Sequence, residues 1–238
     1  MKVIAIIPAR YESTRFPGKP LVDIAGKPMI RRIYEQVKVC QAVDEVLIAT
    51  DDQRIFDAAA AFGAPVVMTS PECRSGTDRV AQAVKGLDAD AVINVQGDQI
   101  VLDKAALAGI ASMLRKGDAM VTVATPALPH EIDDPNYVKV VCNLSGFALY
   151  FSRSTIPYRR TDTSIQILKH IGIYGFSRET LERFTVLEPS LLEATESLEQ
   201  LRALENGIPI RVVMASGDYI EINTPQDRER VLESWRES

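Results

Sequence analysis

The sequence predicts an α/β fold in which a mostly parallel, Rossmann-like sheet is flanked by helices and carries a smaller strand-rich region. Residues 3–7, 46–49 and, apart from Asn94, 91–95 are apolar runs without alternation, the pattern of strands covered on both faces. Helical segments separate them, giving the strand, helix, strand order of a parallel sheet. Each run ends in a polar or Gly-containing loop, at the carboxyl edge where open α/β sheets bind ligands.

Taken in order, residues 3–7 form a central strand that opens into a loop rich in Gly, Pro, Ser and Arg. Residues 29–39 read as a helix, with Ile30, Ile33, Tyr34 and Val37 on one face. The strand 46–49 ends at Thr50, Asp51 and Asp52, and the Ala-rich helix 53–62 is stopped by Gly63. A short strand at 66–68 and a helix at 76–84 lead to the strand 91–95, which closes on Gln96, Gly97 and Asp98. Loops 8–19, 72–79 and 96–100 therefore converge on one candidate site. Further on, 138–141 and 147–151 alternate around a turn at 143–146, as in a hairpin. Residues 191–205 read as one helix ended by Asn206 and Gly207, and 210–214 as a strand. The terminal helix 225–235 has Thr224 as N-cap and Pro225 at its first position. The apolar strand edges within 138–158 need pairing or cover, so a homodimer is expected.

The 238 residues are 46% hydrophobic and 25% charged, which suits one soluble domain. A net charge of -5 argues against nucleic acid as a partner, because backbone neutralisation needs an excess of Lys and Arg. Cys40, Cys73 and Cys142 are odd in number and far apart, so they are expected to be reduced packing residues, neither disulfides nor zinc ligands. The first apolar run meets Pro8 and Arg10 too early for a signal peptide, and none approaches the ~18 residues of a membrane span. The expected location is the cytoplasm, with no membrane partner.

Chemistry concentrates in the first loop. Arg10, Arg15 and Lys19 fall within ten residues beside Ser13 and Gly18, an arrangement that suits a triphosphate. It is not a Walker A loop, because Ser13 and Pro20 stand where that motif needs Gly and Ser or Thr, and a Rossmann fingerprint is also absent. Asp98, at the mouth of an apolar strand, offers a hard oxygen to Mg²⁺. His170 and Tyr174 lie on one face of the extended run HIGIY.

The segments IPARYESTRFPGKPLVDIAGKPMI, SGTDR, NVQGD, VKVV, ALYFSRSTIPY, LKHIGIYGF and ESLEQLRALENG follow one another along nearly the whole chain. Together they resemble the CMP-sugar-acid synthetases, in particular the 3-deoxy-manno-octulosonate cytidylyltransferase family. The resemblance implies a nucleotidyltransferase that joins CMP from CTP to a sugar acid and releases pyrophosphate, supplying activated sugar for lipopolysaccharide or capsule. It implies one domain over 1–238, with a CTP-binding core at about 1–130, a dimerisation and acceptor insertion at about 131–190, and a return to the core at about 191–238. Arg10, Lys19 and Asp98 take the catalytic roles, and Ala9, Arg10, Ser13, Lys19, Arg74, Ser75 and Gly76 bind CTP. Arg15, Gln96, His170, Tyr174, Glu196, Glu199 and Gln200 face the acceptor, while Asp98 and the residue at Asn223 hold Mg²⁺.

Two departures bear on substrate choice. Family members read QGDEP where this chain has Gln99 and Ile100 after Asp98, and they carry Asp in VDTP where this chain has Asn223. An amide offers Mg²⁺ a neutral oxygen, which weakens a site without abolishing it, and Glu221 stands two residues away to compensate. Alternatives are the same chemistry on an 8-amino analogue, a nonulosonic acid or a phosphonate, or a nucleotide-binding protein deficient in turnover.

Overall fold

The computed structural model describes residues 1–13, 16–161, 164–216 and 219–236. Its strands are β1 (Val3–Ala9), β2 (Asp23–Ile24), β3 (Lys27–Pro28), β4 (Glu45–Thr50), β5 (Val66–Met68), β6 (Ala91–Asn94), β7 (Gln99–Val101), β8 (Met120–Pro126), β9 (Lys139–Cys142), β10 (Ala148–Ser152), β11 (Leu168–Ser177), β12 (Ile210–Met214) and β13 (Ile220–Glu221). Its α-helices are α1 (Met29–Lys38), α2 (Gln53–Ala61), α3 (Gly76–Val84), α4 (Lys104–Arg115), α5 (Arg178–Thr185), α6 (Leu191–Glu196), α7 (Gln200–Glu205) and α8 (Pro225–Arg236).

The expected α/β architecture is observed. β5, β4, β1 and β6 run parallel, and β8 and β12 form a second parallel pair in the same nine-stranded sheet. The ten-residue β11 joins these blocks by antiparallel pairing, to β6 through residues 174–177 and to β8 along residues 168–176. Its other end pairs β9, which carries β10 as the expected hairpin.

Every residue of β1 is buried because successive side chains serve opposite cores. Val3, Ala5 and Ile7 pack with Ile30 and Ile33 of α1, Ile55 of α2 and Leu107 of α4. Ile4 and Ile6 pack with Val80 and Val84 of α3, Phe184 of α5 and Leu201 of α7. This two-sided demand is what the unalternating apolar run encodes. Local signals hold too: Ser75 caps α3 through a reciprocal pair of bonds with Asp78, both 3.1 Å, and Thr224 accepts from the Asp227 N–H. The cysteines are free, and no helix among the described residues is long and apolar enough to cross a membrane.

One expected element is corrected. The helix read over 191–205 is two helices, α6 and α7, broken at Ser197, whose φ is 53°. The cause is tertiary. Arg153 donates to the carbonyls of Glu196 at 2.7 Å and Ser197 at 3.3 Å, oxygens that a continuing helix would use internally.

Candidate functional site

The three predicted loops converge at the carboxyl end of the parallel block. A Cβ built on Gly97 would lie 2.6 Å from the Pro8 carbonyl oxygen, so the turn after β6 passes against the end of β1 only with glycine there. A Cβ on Gly76 would meet Pro8 at 3.5 Å and the Gln96 side chain at 3.7 Å, which brings the start of α3 to the same place. The first loop closes on itself through Gly18, at φ 70°, whose N–H donates to the Tyr11 carbonyl at 2.9 Å. The Arg54 guanidinium covers the Tyr11 ring at 3.3 Å from its centroid, tying that loop to α2.

Lys19 then reaches across to Asp98. Its ammonium donates to Asp98 Oδ2 at 3.1 Å and to Asn223 Oδ1 at 3.4 Å. Asn223 arrives there because β13 pairs antiparallel with β7, and the Ile222 N–H donates to the Asp98 carbonyl at 3.0 Å. Two hard oxygens thus converge on one cationic group. Among the described residues no cluster of three or more His, Cys, Asp and Glu forms a metal cage. The residues present fit Mg²⁺, which takes few protein oxygens and completes its shell with phosphates and water. Glu221 stands beside this pair; burial and the Asp98 charge raise its carboxyl above the usual range. Its Oε2 accepts from Asn223 Nδ2 at 3.2 Å, and its Oε1 accepts from Gln99 Nε2 at 3.3 Å.

A cavity of about 1040 Å³ extends from Gln96, Asp98 and Asn223 past His170 and Tyr174 to Glu199 and Gln200. The rings of His170 and Tyr174 lie 5.4 Å apart, as their shared face requires. His170 Nε2 lies 3.0 Å from Thr122 Oγ1, a hydrogen bond between the two, and the same hydroxyl is 2.9 Å from the Ile173 carbonyl. Burial holds the imidazole neutral, with its pKa lowered to about 3, and pushes the Tyr174 phenol well above its ordinary value. Glu199 links the two ends of the site: its carboxylate accepts from Thr77 Oγ1 of α3 at 2.6 Å and from Arg202 at 3.2 Å, and burial raises its pKa. Gln200 is buried with its amide nitrogen unpartnered by any described residue.

Not every predicted contact reaches the cavity. Glu196 does not line it, and both carboxylate oxygens are used elsewhere, accepting from Ser152 Oγ at 2.7 Å and the Arg153 N–H at 2.9 Å. The Ser75 hydroxyl caps α3, Arg10 is exposed, Ser13 accepts from the Phe16 N–H at 3.3 Å, and Arg15 lies outside the described residues. Ala9 ends β1 beside this loop, and Arg74 precedes the capped start of α3. The structure adds Lys169, paired with Glu131, and Tyr137 beneath its ammonium; both residues line the cavity. The adjacency of Lys169 to His170 was the only sequence signal for them.

This fold and site define a nucleotidyltransferase, and the chain belongs to the cytidylyltransferase family, whose model matches residues 4–212. A 3-deoxy-manno-octulosonate cytidylyltransferase of Maricaulis maris is 49% identical, covering 97% of this chain and 96% of its own. An 8-amino-3,8-dideoxy-manno-octulosonate cytidylyltransferase of Shewanella baltica is 44% identical, covering 95% and 96%. The solved structure of a CMP:2-keto-3-deoxy-manno-octonic acid synthetase complexed with CTP superposes with a TM-score of 0.94 at 40% identity, over 100% of this chain and 99% of that one.

Proposed function

We propose that this enzyme joins CMP from CTP to 3-deoxy-manno-octulosonate and releases pyrophosphate, with Mg²⁺ as cofactor. The observation that carries the reading is the juxtaposition of Lys19, Asp98 and Asn223 at the mouth of the cavity lined by Gln96, His170, Tyr174 and Gln200. In this reading Arg10 and Lys19 hold the triphosphate, and Lys19 offsets the charge that develops on departing pyrophosphate. Ala9, Ser13, Arg74, Ser75 and Gly76 bind the rest of CTP, the last two through backbone at the start of α3. Arg15 and the unpartnered Gln200 amide bind the sugar acid, and Glu196 acts behind the wall by fixing Ser152 and Arg153.

The anomeric hydroxyl attacks the α-phosphorus and gives up its proton to solvent water as the bond to the bridging oxygen breaks in line, and pyrophosphate leaves with that electron pair. Asp98 and Asn223 would hold Mg²⁺, which when bound would supply the charge that lowers the hydroxyl's proton affinity. His170, neutral and bonded to Thr122, orients the acceptor and is not needed as a base. Catalysis then rests on positioning and fixed charge, as in phosphoryl transfer generally.

A second reading, the 8-amino acid, is favoured by the carboxylates of Glu131, Glu199 and Glu221 in the cavity and by the Shewanella baltica relative. Pyrophosphate release with CTP separates the two when measured across 3-deoxy-manno-octulosonate, its 8-amino analogue, a nonulosonic acid and a phosphonate. The highest kcat/KM is expected with 3-deoxy-manno-octulosonate; a higher value with another acid would reassign the substrate.

A further inference from the structure

Asn223 presents two chemically different atoms at one place, and only its oxygen can serve a cation. Its amide is held between a group that can only donate and a group that can only accept. Lys19 Nζ, a pure donor, meets Oδ1 at 3.4 Å, and the Glu221 carboxylate, an acceptor when ionised, meets Nδ2 at 3.2 Å. The other Glu221 oxygen accepts from Gln99 Nε2 at 3.3 Å, and the Gln99 side chain is fully buried, so the carboxylate is itself held in place. Rotating the Asn223 amide by half a turn would set its N–H₂ against the Lys19 ammonium and its oxygen against the carboxylate, losing both bonds.

We propose that Glu221 is a positioning residue which, backed by Gln99, keeps the Asn223 carbonyl oxygen turned toward Asp98 and so makes an amide usable as a divalent-cation ligand. The inference rests on the reading of Asp98 and Asn223 as the metal's protein ligands. A carboxylate at 223 has two equivalent oxygens and needs no such orientation. Partners of this kind, one step behind a ligand, are worth about 10–100-fold in metal affinity.

The test is the Mn²⁺ affinity of the protein–CTP complex, read by water-proton relaxation without acceptor, so that turnover plays no part. Glu221→Leu should weaken Mn²⁺ binding about 10-fold in the native chain. Glu221→Gln, which keeps an acceptor oxygen at the same reach, should stay within about threefold of native, below the 10–100-fold of a lost partner. In an Asn223→Asp background Glu221→Leu should leave the affinity unchanged or tighten it, since orientation is no longer required and a like charge is removed. Equal losses in both backgrounds, or Gln as poor as Leu, would mean that Glu221 acts through charge alone and would overturn the proposal. Asp98→Asn distinguishes the two layers. If it leaves Mn²⁺ affinity unaltered, the metal reading itself fails; if it weakens binding while no Glu221 variant does, only the positioning role fails.

Discussion

Lys139 offers the most direct test of how one wall of the cavity is held. Its side chain is fully buried in β9, and its ammonium donates to the carbonyls of Asp134 at 2.9 Å, Tyr137 at 2.5 Å and Arg153 at 2.7 Å. Burial pulls its pKa below the ordinary lysine value. Lys139→Met keeps most of the stem's volume but leaves three carbonyls without this donor, at about 1–3 kcal/mol each if they stay dry. Against that, the variant no longer buries a cation, a saving of several kcal/mol. The balance is a net destabilisation of about 3 kcal/mol, or roughly 6–12 °C in Tm for a chain of this length. Because Tyr137, Val138 and Arg153 line the cavity, the KM for the sugar acid should rise more than the KM for CTP. Thermal unfolding with two-substrate kinetics measures both effects. A Tm within about 2 °C of native would refute the clamp, since the carbonyls would then have found other partners.

Three further outcomes are expected. Lys19→Ala should lower turnover by about 10²-fold with the fold intact, the scale of removing one preorganised electrostatic donor, and turnover within twofold of native would remove Lys19 from phosphate binding. His170 has a folded pKa of about 3 against an ordinary 6.5, so its stabilising contribution is complete above pH 6.5 and is lost as pH falls toward 3. Between pH 6.5 and 5 this should cost up to about 2 kcal/mol in urea unfolding, and His170→Asn should flatten that slope; parallel curves would show that the imidazole does not titrate with folding. Leu144, Leu149 and Tyr158 are exposed in and beside the β9–β10 hairpin, which supports a homodimer built on this segment; a monomeric mass by light scattering at micromolar concentration would reject it.

Much of this was legible in the sequence, for physical reasons that differ by element. β1, β4 and β6 were readable because two cores impose consecutive apolar residues at 3–7, 46–49 and 91–93. α3 was readable because its cap lies within four residues of sequence. The break between α6 and α7 was not, since helix propensity runs through Ser197 and the interrupting guanidinium comes from Arg153, on another segment. β7 and β13 are too short to show a period and exist through pairing across more than a hundred residues. The loops bearing Lys19, Asp98 and Gln96 were therefore predictable, whereas the contacts of Glu221 and Glu196 were not.

That distance also changes how the two departures from the family pattern should be read. In the sequence, Gln99 and Asn223 are separate losses of a carboxylate, and two unrelated losses would point toward decay of the site. In the folded chain both amides donate to the one carboxylate of Glu221, by bonds of 3.3 and 3.2 Å. Acids at 99 and 223 would instead set like charges at hydrogen-bond range around Glu221, close to Asp98, with Lys19 as the opposing cation. Such repulsion between neighbouring carboxylates is unfavourable. Carrying Gln99, Glu221 and Asn223 together, the site keeps carboxylates at 98 and 221 and an oriented oxygen at 223 without that crowding. Restoring Asp at 223 alone should therefore improve cation binding less than the same change made with Glu221→Leu.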